Sequence, residues 1–377
     1  MSPLIYARFT KSISLIPTPL SMPLPLNNKE TFKQFDASNA LTSVGMLPEQ
    51  CAQAWSETKT IDFPKHYSDC TKIVIAGMGG SGLGGHLVHA IFAETLTVPL
   101  VVLNDYKLPK WVNQQTLVLV VSYSGSTEEA LAMFKQSTAR KCATVVIASG
   151  DKLERAAKRA KVPSYIFSDF LTNPAGMPRM GIGLTLFAEL GMLKKLSYLR
   201  LTDSSVQQAI DHTLGLSEAW AATVPQAKNS AKKLAVSLRD LMPVYVASEH
   251  LVSNALVARN QTNESAKSYS DWHKIPELNH HLLEGLGHPA EAKKLAFILF
   301  ASNLYHSRNQ KRHEITAKVL KKNGVAVHSV DAPGKTRLEQ ALAVLQLTSY
   351  VSLYLGMLYG VDPSPIPWVD YFKEQLA

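Results

Sequence analysis

Two segments rich in glycine and hydroxyl groups stand directly after apolar runs, where they could bind an anion. The first is GMGGSGLGG at residues 77–85, which follows KIVIA. The second is SYSGST at residues 122–127, which follows LVLVV. Glycine lets a backbone approach a ligand closely, and a helix N-terminus presents free N–H groups to negative charge. Both segments therefore predict contacts with phosphate oxygens.

The first segment also fits a dinucleotide-binding pattern. Gly77, Gly79 and Gly82 satisfy G-x-G-x-x-G, and Asp105 follows at roughly the spacing of the acid that binds a ribose. A nicotinamide-dependent oxidoreductase is therefore one hypothesis. The hydroxyls at residues 122–127 favour a phosphate ester instead, because a small nest of donors suits a terminal phosphate with three free oxygens.

The expected phosphate ligands come from both segments. Ser126 and Glu129 have the spacing of a capping box, which predicts that the second helix begins at Ser126 and leaves the other hydroxyls for the ligand. The predicted ligands are Gly79, Gly80, Ser81, Ser122, Ser124 and Thr127.

A repeated α/β pattern positions these segments. Apolar runs alternate with amphipathic stretches, and runs that are apolar throughout are typical of strands buried on both faces of a parallel sheet. In the first half the runs are KIVIA (72–76), PLVVLN (99–104), LVLVVS (117–122), TVVIAS (144–149) and PSYIF (163–167). The second half has a helical stretch at 206–240, runs at 243–248, 294–302 and 325–330, and a long apolar helix at 337–359.

The predicted fold class is therefore α/β, with two doubly wound, flavodoxin-like parallel sheets flanked by helices. The expected divisions are a flexible N-terminal extension at 1–26, an N-terminal domain at 27–200 that carries the phosphate segments, and a C-terminal domain at 201–377. Prolines at 17, 19, 23 and 25 interrupt the only apolar stretch that resembles a targeting signal, and Met22 is an alternative start.

Composition narrows the class of protein. The 377 residues carry a net charge of +9, but the basic residues are dispersed and the densest patch is RNQKRH at 308–313. This predicts neither a nucleic-acid nor a membrane partner; a positive surface also attracts anionic metabolites. The three cysteines, Cys51, Cys70 and Cys142, are scattered without a C-x-x-C motif, which predicts no zinc site and no disulfide framework and favours the cytoplasm.

Several further motifs together resemble one enzyme family. With the two phosphate segments, they are similar to the bifunctional phosphoglucose/phosphomannose isomerases, which have two SIS (sugar isomerase) domains. The resemblance runs from about residue 30 to the C-terminus. The motifs are LPEQC (47–51), NPAGMPRMGIG (173–183), NQTNESAK (260–267), PELNHH (276–281) and GVDPSPIPWVDYFKEQL (360–376).

This resemblance implies an aldose–ketose isomerase that converts glucose 6-phosphate and fructose 6-phosphate without a metal or cofactor. Glu264 matches the family's proton-shuttling glutamate, and Arg179 an arginine that could stabilise the enediolate. His280 matches the ring-opening histidine, which the family takes from the other subunit of a homodimer; His281 is an adjacent alternative. Lys373 matches a C-terminal lysine near the sugar.

The resemblance leaves two questions open. Ser364 stands where the family often has threonine, and its hydroxyl makes activity on mannose 6-phosphate an additional expectation. A non-catalytic SIS module that senses a sugar phosphate is the second hypothesis beside the oxidoreductase. A module that only binds a sugar phosphate would not need Glu264, His280 and Lys373 to lie together at one site.

Overall fold

The structure is a computed structural model that describes residues 26–376. Residues 1–25 of the predicted N-terminal extension lie outside the described residues. Leu26 is buried, and its carbonyl accepts a hydrogen bond from the ammonium of Lys232. Within the described residues, three α-helices precede the first strand, namely α1 (Lys29–Phe35), α2 (Ala40–Gly45) and α3 (Leu47–Glu57).

A five-stranded parallel sheet forms the first half of the described chain. Its strand order is β2-β1-β3-β4-β5, and β3 is buried at every position, as its unbroken apolar sequence predicts. The elements are β1 (Lys72–Gly77), α4 (Gly80–Phe92), β2 (Leu100–Leu103), β3 (Thr116–Ser122), α5 (Glu128–Ala139), β4 (Ala143–Ala148), α6 (Asp151–Ala160), β5 (Ser164–Ile166) and α7 (Ile182–Lys195).

The strand order places both phosphate segments at one point of the sheet. The chain leaves β1 toward one side and returns to add β3 on the other, so a crevice opens between their carboxyl ends. Gly77 at the end of β1 pairs with Val121 at the end of β3. The segments at 77–85 and 122–127 therefore start side by side.

A four-stranded parallel sheet repeats this arrangement in the second half. Its order is β7-β6-β8-β9, which is the order of the first four strands of the N-terminal sheet. The predicted pair of doubly wound parallel sheets is confirmed. The elements are α8 (Asp203–Trp220), α9 (Ser230–Leu238), β6 (Met242–Ala247), α10 (Val252–Ser265), β7 (Asp271–Lys274), β8 (Leu295–Ala301), α11 (Ser307–Lys322), β9 (Ala326–Asp331), α12 (Arg337–Leu358) and α13 (Pro367–Leu376).

Two elements differ from the sequence prediction. The helical stretch expected at 206–240 is divided into α8 and α9, because the segment between them contains Pro225, which cannot continue a helix. Strand β7 was not predicted at all. It has four residues, DWHK, at the edge of the sheet, and they are partly or fully exposed, so it carries no apolar run.

Helices from both halves share one core. Helix α12 packs against α2, α8, α9 and α10, while α10 also packs against α4 of the first sheet. Of the described helices, α12 alone is long and apolar enough to cross a membrane, and its residues 338–358 are all buried, as expected for a core helix. This shared core fixes the carboxyl end of α10 relative to the crevice of the first sheet.

Candidate active site

The first phosphate segment is a tight glycine turn that opens directly into a helix. Gly79 has φ +49° and ψ −130°, a conformation that L side chains rarely adopt, and it precedes α4 without a side-chain cap. Ser81 lies one residue into the helix and is 5% exposed. Its hydroxyl oxygen accepts a hydrogen bond of 2.8 Å from the backbone N–H of Tyr123. The two segments are thus bonded to each other, and the Ser81 proton remains available to a ligand.

The second segment differs from the prediction at its helix start. The N-cap is Thr127 and α5 begins at Glu128, so the predicted capping box of Ser126 and Glu129 is wrong. Buried Ser122 explains this geometry, because its hydroxyl donates to the Thr127 hydroxyl at 2.9 Å and accepts from the N–H of Gly125 at 3.1 Å. No side chain among the described residues caps the first turn of α5, so its N–H groups stay available to an anion.

The predicted hydroxyls therefore have unequal access. Ser122 is fully buried and holds the segment in shape. Ser124 is exposed, with its oxygen 3.3 Å from that of Ser126, and Thr127 is half-buried at the helix start. Ser124, Thr127 and the free proton of Ser81 are the hydroxyl groups best placed to reach a phosphate.

A turn that carries Arg179 lies directly against the first segment. A Cβ atom at Gly80 would stand 2.8 Å from the Cβ of Pro178 and 2.9 Å from the backbone nitrogen of Arg179. Glycine at position 80 therefore permits this close approach. The Arg179 side chain is 1% exposed and points away from solvent into the space between α10 and the segment before α13.

Four of the five N–H groups of Arg179 are bonded. Nε donates to the hydroxyl of Ser265 at 3.1 Å, and Nη2 donates to the carbonyls of Pro363 and Ser364 at 2.6 and 2.7 Å. Nη1 lies 3.4 Å from the carboxylate of Glu264. Burial lowers the pKa of Arg179, and the charge of Glu264 opposes that shift. One N–H group on Nη1 has no acceptor among the described residues.

Glu264 occupies the last turn of α10, where a negative charge is disfavoured by the helix dipole. The Arg179 cation compensates that cost. The Glu264 side chain is 30% exposed and borders a cleft of about 450 Å³. The cleft lies between the end of α10 and the start of α13, and Trp368 and Val369 form part of its apolar wall. A carboxylate in such a partly dry cleft, with a cation at one side, is suited to proton transfer.

The single chain does not bring every predicted residue to this cleft. His280 lies in a turn after β7 and is exposed, and no hydrogen bond or ion pair joins its ring to another described residue. The neighbouring His281 is exposed, with its ring 5.9 Å from that of His273. Lys373 is exposed on α13, and its ammonium likewise has no bonded partner among residues 26–376. Ser364 is buried, and its hydroxyl oxygen has no described partner.

The predicted dinucleotide acid lies away from the first segment. Asp105 is exposed and accepts a hydrogen bond from the N–H of Tyr106. Asn104 contacts the segment instead, since its amide donates to the carbonyl of Gly77 and would meet a Cβ at Gly82. An amide thus stands beside these glycines, at the end of β2.

The three cysteines are free and buried, and the described residues contain no group of three His, Cys, Asp or Glu side chains arranged to hold a metal.

Sequence reasoning missed two further parts of the site. Tyr123 stands between the predicted serines, and its hydroxyl donates to Asp169 at 2.6 Å and accepts from the amide of Asn173. Burial raises the pKa of Tyr123. Lys267 closes α10 beside Glu264, and its ammonium donates to the carbonyls of Glu264 and Pro365. The motif at 260–267 contains this lysine, but its sequence gave no sign of those partners.

Comparisons with known proteins agree with this architecture. Residues 66–168 match the model of the SIS domain, and residues 227–376 match that of the bacterial phospho-glucose isomerase C-terminal SIS domain. A bifunctional phosphoglucose/phosphomannose isomerase of Caldicellulosiruptor bescii is 32% identical over 89% of this chain and 98% of its own. The enzyme of the same name from Aquifex aeolicus is 29% identical over 84% of this chain and 93% of its own.

A solved structure shows the same fold. The crystal structure of a hypothetical protein from Thermus thermophilus superposes with a TM-score of 0.73, covering 92% of each chain. Its sequence identity of 16% makes this a likeness of fold alone.

Proposed function

The chain belongs to the bifunctional phosphoglucose/phosphomannose isomerase family, and we propose that it interconverts glucose 6-phosphate, fructose 6-phosphate and mannose 6-phosphate. It is a sugar-phosphate isomerase. The observation that carries the proposal is the position of Arg179. Its backbone packs on the phosphate segment at Gly80, while its side chain contacts the carboxylate of Glu264. This continuity supports one site that holds a phosphate at one end and moves a proton at the other.

The phosphate end is built from neutral donors. We propose that the N–H groups at Gly79 and Gly80 and at the start of α5, together with the hydroxyls of Ser81, Ser124 and Thr127, bind the three free phosphate oxygens. Ser122 then acts by holding Thr127, because its own hydroxyl is buried and bonded. Helix N-termini attract the phosphate charge without a lysine or arginine in the two segments.

The reactive end moves one proton between two carbons. The Glu264 carboxylate removes a proton from C1 of open-chain fructose 6-phosphate to give an enediolate, and the same carboxyl returns it to C2, while the hydroxyl proton of O1 passes to O2. Return to one face of C2 gives glucose 6-phosphate, and return to the other gives mannose 6-phosphate. The free N–H of Arg179 stabilises the enediolate oxygen electrostatically. No electron leaves the substrate, so the proposal includes no redox cofactor and no metal.

Ring opening needs groups that the single chain does not bring to the cleft. We propose that His280 comes from the partner subunit of a homodimer, since its exposed ring has no partner among the described residues of its own chain. Lys373 on α13 is proposed to contact the sugar from the side of the cleft. The proposed organisation is an N-terminal domain at 27–200 and a C-terminal domain at 201–377, in a cytoplasmic enzyme that acts on small anionic substrates.

A coupled assay on fructose 6-phosphate tests the function. We expect both glucose 6-phosphate and mannose 6-phosphate to form, and the activity to persist in EDTA. Reaction in D₂O should place deuterium at C2 of both products, because the shuttled proton can exchange with solvent. Binding without turnover would support the sugar-phosphate-sensing module instead. Reduction of added NAD would support the oxidoreductase.

A further inference from the structure

Two cations hold the segment that joins α12 to α13. Within this segment, the three consecutive carbonyls of residues 363–365 all accept hydrogen bonds from basic side chains. Arg179 binds the first two, and the ammonium of Lys267 binds the carbonyl of Pro365 and lies 3.4 Å from that of Pro363. Charge-assisted bonds of this kind are roughly twice as strong as neutral ones.

Lys267 reaches this segment because of how α10 ends. The helix stops at Ser265, and Lys267 has φ +53°, which turns the chain back over the last helical turn. Its ammonium also binds the carbonyl of Glu264, one of the carbonyls that a helix end leaves without an intrahelical partner. One side chain therefore bonds both the residue that carries the reactive carboxylate and the segment before α13.

Helix α13 has few other means of attachment. None of its residues is buried, and the apolar side chains of Trp368, Val369 and Phe372 are 57%, 41% and 63% exposed. The segment before it contains Pro363 and Pro365, which have no N–H group to donate. The carbonyls of this segment are thus its principal anchor points, and the position of α13 depends on the groups that bind them.

We infer that Lys267 is a positioning residue for isomerisation: its ammonium fixes the start of α13 beside Glu264, and thereby the helix that carries Lys373. The inference rests on the proposed function for its catalytic readout. Arg179 holds the same segment from the buried side, so the loss of Lys267 loosens α13 without removing the fold. The phosphate segments have no bond to Lys267, and substrate affinity should depend on it little.

The ammonium of Lys267 is expected to lose its proton within the pH range of an enzyme assay. Although part of its side chain is exposed, desolvation of the ammonium, and next the charge of Arg179, lower the pKa of Lys267 to about 8, while Asp362 and Glu264 oppose the shift. Below that pH the side chain is a cation and binds the carbonyls of Glu264 and Pro365 as an ammonium. Above it the neutral amine makes weaker bonds, so the turnover number should fall as the pH rises through 8. An arginine at this position stays charged and should move that fall to higher pH.

The test compares Lys267→Met and Lys267→Arg in the full-length enzyme, with Lys318→Met as control, since Lys318 is an exposed lysine of α11. Two readouts are measured, namely hydrogen exchange of residues 367–376 and the kinetics on fructose 6-phosphate. We expect faster exchange of α13 and a kcat lower by on the order of 10- to 100-fold in Lys267→Met, with KM changed less than about threefold. Lys267→Arg should keep most of the wild-type kcat and most of the wild-type protection of α13 from exchange. Lys318→Met should change neither quantity.

The two readouts separate the possible failures. Unchanged exchange of α13 together with wild-type kcat in Lys267→Met would overturn the inference. A higher KM with unchanged kcat in Lys267→Met would also overturn the inference, because that pattern indicates a role in substrate binding. If the wild-type chain does not isomerise sugar phosphates, the proposed function fails, while the exchange of α13 still decides whether Lys267 holds the helix.

Discussion

The guanidinium of Arg179 lies 3.4 Å from the carboxylate of Glu264, and it is the most deeply buried ionic contact in the described structure. The two residues are 85 positions apart and belong to different halves of the chain. Arg179 sits on the turn that packs on the phosphate segment, and Glu264 ends α10. In the proposed function, one buried side chain therefore sets the distance between the bound phosphate and the reacting carbon.

Substitution of Arg179 should affect both stability and catalysis. Arg179→Met leaves two carbonyls and the Ser265 hydroxyl without their donor, and it should lower the free energy of unfolding by about 3 kcal/mol. Arg179→Lys keeps a charge but cannot make four divergent bonds, so it should fold and lose kcat. Urea unfolding and the coupled assay measure the two effects. Wild-type kcat in a folded Arg179→Lys enzyme would contradict this role.

Gly80 should tolerate no side chain. In Gly80→Ala the new methyl group would press on Pro178 and on the backbone of Arg179, displacing the turn from the phosphate segment. We expect weaker phosphate binding and a lower kcat, measured by titration with inorganic phosphate and by the coupled assay. Gly215→Ala is the control, because a Cβ in that helix meets no atom within 4 Å and alanine favours the helix. Equal behaviour of the two variants would argue against the close approach.

The proposed sharing of a site between subunits can be tested by complementation. Glu264→Gln and His280→Ala should each be inactive alone. Coexpressed, they should form mixed dimers with one intact site, and random pairing restores roughly a quarter of the wild-type activity. Coexpression of Glu264→Gln with Lys373→Met should restore none, because α13 lies beside Glu264 of its own chain. No recovery in the first pair would place His280 outside a shared site, and His281→Ala would then be tested in the same way.

Glu189 should make stability depend on pH. Its carboxyl is fully buried in α7 without a hydrogen-bond partner among residues 26–376, and burial raises its pKa well above the ordinary value. The unfolded carboxyl ionises above about pH 4.3 while the folded one stays neutral, so the free energy of unfolding falls as the pH rises through that value. Glu189→Met should be more stable at pH 7 by about 1–3 kcal/mol.

Thermal unfolding at pH 4 and pH 7 checks the sign of this effect. The advantage of Glu189→Met should narrow at pH 4, where the carboxyl is largely protonated in the unfolded chain too. Glu218→Gln, at an exposed position of α8, should show little difference at either pH. The account would be contradicted if Glu189→Met were less stable than the wild type at pH 7. It would also be contradicted if the stability difference between the two proteins did not change with pH.

The sequence predicts the scaffold because apolar runs report burial directly. Unbroken runs such as LVLVV are typical of strands buried on both faces, and glycines after them indicate the turns at the carboxyl ends. The edge strand at Asp271–Lys274 lacks that signal, since its residues are mostly polar and its pairing with β6 is a matter of tertiary position. The N-cap at Thr127 was missed because the hydrogen bond from buried Ser122 to the Thr127 hydroxyl forms only in the folded turn and has no signature in the sequence.

The sequence is less informative about how distant parts of the site meet. The motif containing Arg179 was recognised, but its hydrogen bonds join residues 85 and more positions away, which no local spacing indicates. The sequence around Lys267 indicates only an ordinary solvated lysine. The left-handed turn at the end of α10, which directs this side chain to its carbonyl partners, is seen only in the structure. The roles of His280, Lys373 and Glu264 stay predictions that only activity can test.

The most direct measurement is the steady-state rate of glucose 6-phosphate formation from fructose 6-phosphate by the wild-type enzyme and by Glu264→Gln. Glutamine keeps the shape of the side chain but cannot accept and return a proton. Because proton transfer of this kind contributes on the order of 10²- to 10⁴-fold, we expect kcat to fall by at least about 100-fold with KM nearly unchanged. Full activity in a folded Glu264→Gln enzyme would contradict the central claim that this carboxylate moves the proton.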